Sequence, residues 1–147
     1  MSFKTFLGTV ALGLSLAATS VPALAGGGSN SVSLDQHGLG NGVGISQDGS
    51  RNRLSVTQDG YRNTTIATQD GARNRTVVGQ TGAYNGVVTS QAGRCNVLGV
   101  AQFGTRNSAD VDQAGRCNAL GVIQTGRNGS VTATQHGHGN VAVVIQD

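Results

Sequence analysis

The stretch Asn52-Arg53-Leu54-Ser55-Val56-Thr57-Gln58-Asp59-Gly60-Tyr61-Arg62, followed at once by Asn63, decides the fold of this chain. From Asn52 to Gln58 the residues alternate. Asn52, Leu54, Val56 and Gln58 fall on one face, and Arg53, Ser55 and Thr57 on the other. A period of two over such a length marks a half-buried β-strand. Asp59-Gly60-Tyr61-Arg62 then read as a turn, in which Gly supplies a positive φ and the following Asn tolerates left-handed geometry. Each unit is therefore one strand and one tight reversal of direction.

The unit repeats along almost the whole chain. Gln recurs every 11 residues, at Gln36, Gln47, Gln58, Gln69, Gln80, Gln91, Gln102, Gln113, Gln124, Gln135 and Gln146. Gly follows two residues after each of the first ten of these, from Gly38 to Gly137. Asn stands six residues ahead of nearly every Gln, at Asn30, Asn41, Asn52, Asn63, Asn74, Asn85, Asn96, Asn107, Asn118 and Asn140. The one slip is Gly129, with Asn128 displaced by one position.

A second period lies inside the first. Alternate strands carry Leu34, Val56, Val78, Val100, Val122 and Val144 at one inward position, while the intervening strands carry smaller and less regular pairs such as Thr65 and Ala67 or Ala109 and Val111. Two kinds of strand imply a 22-residue rung, strand-turn-strand-turn, with like stacked on like. The expected fold is all-β: a two-sheet β-solenoid of about five and a half rungs, its sheets about 10 Å apart and its rungs about 4.8 Å apart. The inward Gln and Asn would stack as ladders along the axis, each amide satisfying the next.

Outside the repeat, the first 25 residues read as a secretory signal peptide. Met1 to Lys4 is a basic start, Phe6 to Ala18 is mostly apolar, and Ala23-Leu24-Ala25 is a small-residue cleavage site. Cleavage after Ala25 leaves a short Gly-rich segment, residues 26–29, and the repeat domain, residues 30–147. The mature chain then holds nine Arg against seven Asp and no Glu, a net charge of +2. That charge is too weak and too dispersed for a nucleic-acid partner. No second long apolar run exists to span a membrane.

The pattern Q-x-G-x-x-N-x-φ-x-φ-x-Q, seen from Gln58 through Asn63 to Gln69 and from Gln80 through Asn85 to Gln91, resembles the curlin repeat of bacterial curli subunits. The resemblance implies an extracellular, cell-surface functional amyloid of a Gram-negative bacterium, serving biofilm matrix and adhesion. It also implies partners: further copies of the chain, a sister curlin subunit, an outer-membrane secretion pore and accessory export factors. Two features depart from the major subunits. Only Gly26 to Ser29 stand where those have a longer Gly-rich export segment, and Asn heads both halves of the rung where they tend to place Ser at one. The second feature looks more like the minor, nucleating subunit, although the last unit keeps its pattern through Gln146.

Several residues stand out from the repeat. Cys95 and Cys117 lie 22 apart in the matching segments Ala92-Gly93-Arg94-Cys95-Asn96 and Ala114-Gly115-Arg116-Cys117-Asn118. A disulfide staple between adjacent rungs and a pair of free thiols both fit that spacing. Two Cys without further ligands argue against zinc, and His37, His136 and His138 read as turn residues, so neither metal nor cofactor is expected. Asp48 would stack over Asp70 and Arg51 over Arg73, either as like-charge gatekeepers or as solvated turns that also form Asp–Arg pairs. Tyr61, Tyr84 and Phe103 are expected in turns, as candidate surface contacts.

Rival functions fit less well. Ice binding would need a regular outward row of Thr, but the central outward row holds only Thr132. An enzyme would need a unique cluster of carboxylates, His or Lys breaking the repeat, and only Asp110 and Asp112 come close. Calcium binding would need regularly placed Asp in the turns. The serious alternative to a fibre subunit is a non-polymerising secreted adhesin or carbohydrate-binding solenoid.

Overall fold

The structure is a computed structural model and describes residues 28–147. The signal peptide, its cleavage site after Ala25 and the beginning of the segment 26–29 lie outside the described residues. Eleven strands follow one another: β1 (Ser31–Leu39), β2 (Gly42–Ser50), β3 (Arg53–Tyr61), β4 (Thr64–Ala72), β5 (Arg75–Ala83), β6 (Gly86–Arg94), β7 (Val97–Thr105), β8 (Ser108–Arg116), β9 (Ala119–Arg127), β10 (Ser130–His138) and β11 (Val141–Gln146). Among the described residues no helix is long and apolar enough to cross a membrane.

The odd strands form one parallel sheet in the order β1-β3-β5-β7-β9-β11, and the even strands form a second in the order β2-β4-β6-β8-β10. Every pairing has the same register, each residue lying against the residue 22 positions on: Leu54 on Thr76, Val56 on Val78, Gln58 on Gln80. The fold is thus the two-sheet β-solenoid with 22-residue rungs that the double period implies. Leu54, Val56, Val78, Leu98, Val100, Leu120 and Val122 of the odd sheet close on Ala67, Val87, Ala109, Val111 and Val131 of the even one. Bulk on one sheet and small or β-branched residues on the other fill a thin, continuous core. Cover from neighbouring rungs decides burial. Leu54 is 2% exposed, whereas Val32, its equivalent one rung earlier, is 40% exposed because no described strand stacks beneath β1.

The corners differ from the sequence reading in two ways. All strands but β11 run nine residues rather than seven, starting after the Asn and continuing three residues beyond the Gln, as in Arg53–Tyr61. The reason is that stacked corners keep the ladder. Arg62 N–H donates to the Leu39 carbonyl at 2.9 Å and Tyr84 N–H to the Tyr61 carbonyl at 2.9 Å, so hydrogen bonding follows the chain around the bend. The left-handed residue, moreover, is the one before the Asn and not the Asn itself. Arg51, Arg62, Arg73, Tyr84, Cys95, Arg106 and Cys117 all have φ between 51° and 61°. The displaced Asn128 takes that left-handed place in its own corner, with φ 57°, where Asn is better tolerated than most residues.

Where another corner stacks above it, the corner Gly is required twice over. Gly60 has φ +122°, and a Cβ there would sit 1.9 Å from the Gly82 carbonyl oxygen of the next rung. Gly99, on the outer face of β7, has nothing within 4 Å of such a Cβ. Gly60→Ala should therefore lower stability by about 1–3 kcal/mol or more through backbone strain and collision. Gly99→Ala should stay within about 0.5–1 kcal/mol of the parent, on the stabilising side. Urea unfolding of the two variants beside the parent, followed by circular dichroism, checks both.

Candidate functional site

The repeated polar side chains lie inside the sheets. Gln58, Gln69, Gln80, Gln91, Gln102, Gln113 and Gln124 are among the largest fully buried side chains of the protein. A buried primary amide must find partners for two donors and one acceptor or forfeit about 1–3 kcal/mol for each group left bare. The 22-residue register supplies them. On the odd sheet the Nε2 of Gln36, Gln58, Gln80, Gln102 and Gln124 each donates to the Oε1 of the next Gln up, ending on Gln146, at 2.7–2.9 Å. On the even sheet Gln47, Gln69, Gln91 and Gln113 do the same, ending on Gln135, at 2.6–3.0 Å.

The second Nε2 proton crosses the core. Gln58 donates to the Gly42 carbonyl at 3.2 Å, Gln80 to Thr64 at 3.2 Å and Gln69 to Arg53 at 3.1 Å, each on the facing sheet. Two threonines brace the same amides, one of them Thr65, which the sequence reading treated only as a small inward residue. Thr65 Oγ1 accepts from Gln58 at 3.1 Å and donates to Gln80 at 2.9 Å. Thr76 Oγ1 accepts from Gln69 at 3.0 Å and donates to Gln91 at 2.8 Å. A hydroxyl at an inward position of a strand facing two Gln rungs was the signal available for them. Thr89 sits at another inward position and is buried, yet its hydroxyl has no partner.

The Asn side chains clamp the corners. Asn63 Nδ2 donates to the Asp59 carbonyl of its own corner at 3.2 Å and to the Gly82 carbonyl of the next rung at 3.0 Å. Its Oδ1 accepts the Asn85 backbone N–H at 3.1 Å. Asn52, Asn74, Asn85, Asn96 and Asn118 repeat the same set of bonds. Asn30 makes the two upward bonds, Asn41 the full set, and Asn140 the bond within its own corner. Above Asn107 the column passes to Gly129, whose N–H still donates to Asn107 Oδ1 at 2.9 Å.

Both ladders have a direction. Nε2 always points toward the β10/β11 end, so acceptors are left over at the β1/β2 end. Gln47 Oε1, at that end, is buried and has no partner among the described residues. At the opposite end β11 exposes Val141, Val143 and Ile145 by 65–77% on its outer face. One end of the solenoid offers amide acceptors and the other offers amide donors.

Outside the ladders the surface is less regular. Asp48 does lie in register with Asp70, and the one charge contact among the described residues is His37 Nε2 to Asp35 Oδ1 at 3.0 Å. No Asp–Arg pair forms among those residues. Tyr61 and Tyr84 meet edge to face at 5.5 Å, with the Arg62 guanidinium 4.9 Å and 5.9 Å from their rings and Arg106 6.0 Å from Tyr84. Tyr61 ends β3 and Phe103 lies within β7, so only Tyr84 occupies a corner proper. His136 and His138 lie in β10, and no group of three or more His, Cys, Asp or Glu side chains converges among the described residues. Cys95 and Cys117 are exposed free thiols at successive corners.

Removing a middle member of the ladder should cost more than removing an end member. Gln80→Met keeps the bulk but strips Gln58, Thr65 and Gln102 of a partner, and should lose about 2–3 kcal/mol, while Gln36→Met at the exposed end should lose less than about 1 kcal/mol. Thr89→Val replaces an unsatisfied hydroxyl with a methyl and should gain about 1 kcal/mol, whereas Thr65→Val should lose stability. Denaturant midpoints at constant slope for the four variants decide these signs.

Residues 27–60 and 96–126 match the family model of the curlin associated repeat. No curated protein matches the chain. The matched stretches reach from the first strand through β3 and from β7 to β9, and the unbroken 22-residue register carries the same unit through the strands between them. In its repeat and in the stacking that the repeat encodes, this chain is similar to the curlin family, whose associated repeat its two matched stretches carry.

Proposed function

We propose that the chain is a structural subunit of an extracellular, curli-like amyloid fibre that grows by adding copies end to end. The observation that carries this reading is the direction of the glutamine ladders. A donor-bearing end and an acceptor-bearing end are complementary surfaces on different parts of one molecule, and such head-to-tail contacts generate open filaments rather than closed dimers. Each end presents to a second copy what one rung presents to the next, so no new kind of interaction is required. Among the described residues neither end strand carries the proline with which sheet proteins often protect an open edge.

In this reading residues 1–25 direct export and are removed, the short segment 26–29 precedes the solenoid, and residues 30–147 form the fibre core. The chain is exported by a Gram-negative cell through an outer-membrane pore with accessory factors, joins a sister subunit, and serves biofilm matrix and adhesion. Catalysis has no part in the proposal. Each rung depends on the rungs above and below for burial, so the exported chain folds as it docks on a fibre end.

A thioflavin-T time course on freshly desalted Gly26–Asp147, with circular dichroism alongside, tests the proposal. A lag, then fluorescence rising as coil converts to β, with the lag abolished by preformed seeds, is the expected outcome. Immediate dye binding without a lag points to the nucleating role, and a soluble β monomer that never binds dye overturns polymerisation in favour of a solenoid adhesin.

An edge variant tests the direction of growth. Val97 and Ala119 N–H groups donate toward the later rung, to the Asn118 and Asn140 carbonyls at 2.8 Å. Val141 and, by alternation, Val143 thus point their N–H groups out of the β11 edge. Val143→Pro removes a donor from that edge without breaking a bond to β9, and should slow seeded elongation about tenfold or more. Elongation at the parental rate would show that growth does not use this edge.

A further inference from the structure

We propose that Cys95 and Cys117 form a reversible intramolecular disulfide that fixes the 22-residue register between the third and fourth rungs. The two corners are equivalent. Cys95 N–H donates to the Ala72 carbonyl at 3.0 Å and Cys117 N–H to the Arg94 carbonyl at 2.9 Å, so the second corner rests directly on the first. Both residues are left-handed, with φ of 61° and 52°, which makes their Cα–Cβ bonds run side by side. Stacked strands stand about 4.8 Å apart, within the Cα separations of natural disulfides. Bonding asks the two corners to lean together until the Cβ atoms stand about 3.5–4.5 Å apart, and both thiols are on the exposed edge, away from the packed core.

The two thiols share one open site. They face a groove of about 510 Å³ whose walls include Arg73, Arg94, Arg116 and His138, wide enough to admit an external disulfide. The sulfurs also sense one another. The Cys117 thiol is raised above its ordinary range, first by hydrogen bonding with the Cys95 side chain, then by desolvation and by the Cys95 charge, with Arg116 opposing. In the proposed step one thiolate attacks an external disulfide and releases one thiolate from it. The second protein thiolate then attacks the mixed disulfide and releases the other. Two electrons pass from the protein dithiol to the external disulfide, and the two protons end on the released thiols.

The repeat explains what such a bond would do. The Gln and Asn columns are satisfied by any partner of the same sheet, so a strand set over the rung 44 residues away keeps its ladders as well as one set over the rung 22 away. Register is weakly specified when successive strands look alike. The chain holds only two Cys, and they are one rung apart. Joining them closes a loop that contains β7 and β8 and removes from the unfolded chain most arrangements in which β8 pairs elsewhere than on β6.

The test equilibrates the protein in mixtures of oxidised and reduced glutathione, with and without denaturant, then traps free thiols by alkylation and maps the cross-link by mass spectrometry. We expect one intramolecular Cys95–Cys117 link, favoured about tenfold or more in native buffer over denaturant. Two alkylatable thiols in oxidising native buffer, a link between chains, or equal oxidation in both solvents would overturn it. The register role has its own arm: refolding by circular dichroism should be several-fold faster for the oxidised protein than for the reduced one. The double variant Cys95→Ser, Cys117→Ser should fold at the reduced rate under both conditions. Equal rates for oxidised and reduced protein would sink the register role. The alkylation arm reads the folded solenoid, whether as monomer or within a fibre, so a missing link and a failure to polymerise are separate results.

Discussion

A primary amide buried between two sheets is tolerable only when an identical amide lies one rung above it and another one rung below. That condition governs this protein. It demands that Gln stack on Gln and Asn act on Asn, and so it forbids any offset that is not a whole number of repeats. The apolar core could not impose this alone. With Val, Ala and Thr at many inward positions, it would accept several alignments at similar cost, whereas a one-residue slip would turn every Gln outward and every outer residue in. The amides thus specify and the aliphatic residues stabilise.

The Gly-rich corners serve the same condition from outside. In-register stacking brings corner backbones so close that the carbonyl of Gly82 occupies the space a Cβ on Gly60 would need. Asn63 then ties the corner to both its own rung and the next. Eight corners hold a non-glycine residue in left-handed geometry, at about 1–2 kcal/mol each by steric preference. Hydrogen bonding through the bend offsets that cost, since the ladder does not stop where the chain turns.

Much of this was legible in the chain itself. Period two inside period eleven yields the strand, and the alternation of large and small inward residues yields the two sheets and the 22-residue rung. What escaped was local and of one kind. Alternation ends at Gln58, so the strand seemed to end there, although hydrogen bonding continues to Tyr61. The left-handed residue was placed on Asn because Asn tolerates that geometry; the stacked Asn side chain has other duties, and the preceding residue takes the strain. Thr65 looked like a small inward residue and Thr76 drew no notice, because their partners are Gln on the opposite sheet, a proximity that appears only once the sheets face each other. Pattern along the chain reports neighbours within a sheet, and it is silent on who meets whom across the core.

The left-handed corner position has a wider consequence. Its side chain points away from the core and takes no part in the ladders, so Arg, Tyr, Cys and Asn all occur there. Residues in one corner column repeat along a straight line at the spacing of a rung, one line on each rim of a flat ribbon. One rim carries Arg62, Tyr84 and Arg106, and the other Arg51, Arg73, Cys95 and Cys117. A contact too weak to hold a ligand once is offered again at every step, and avidity grows with the number of steps engaged. The two rims of the ribbon are thereby two different multivalent surfaces, each editable one residue at a time without disturbing the amides that hold the structure together.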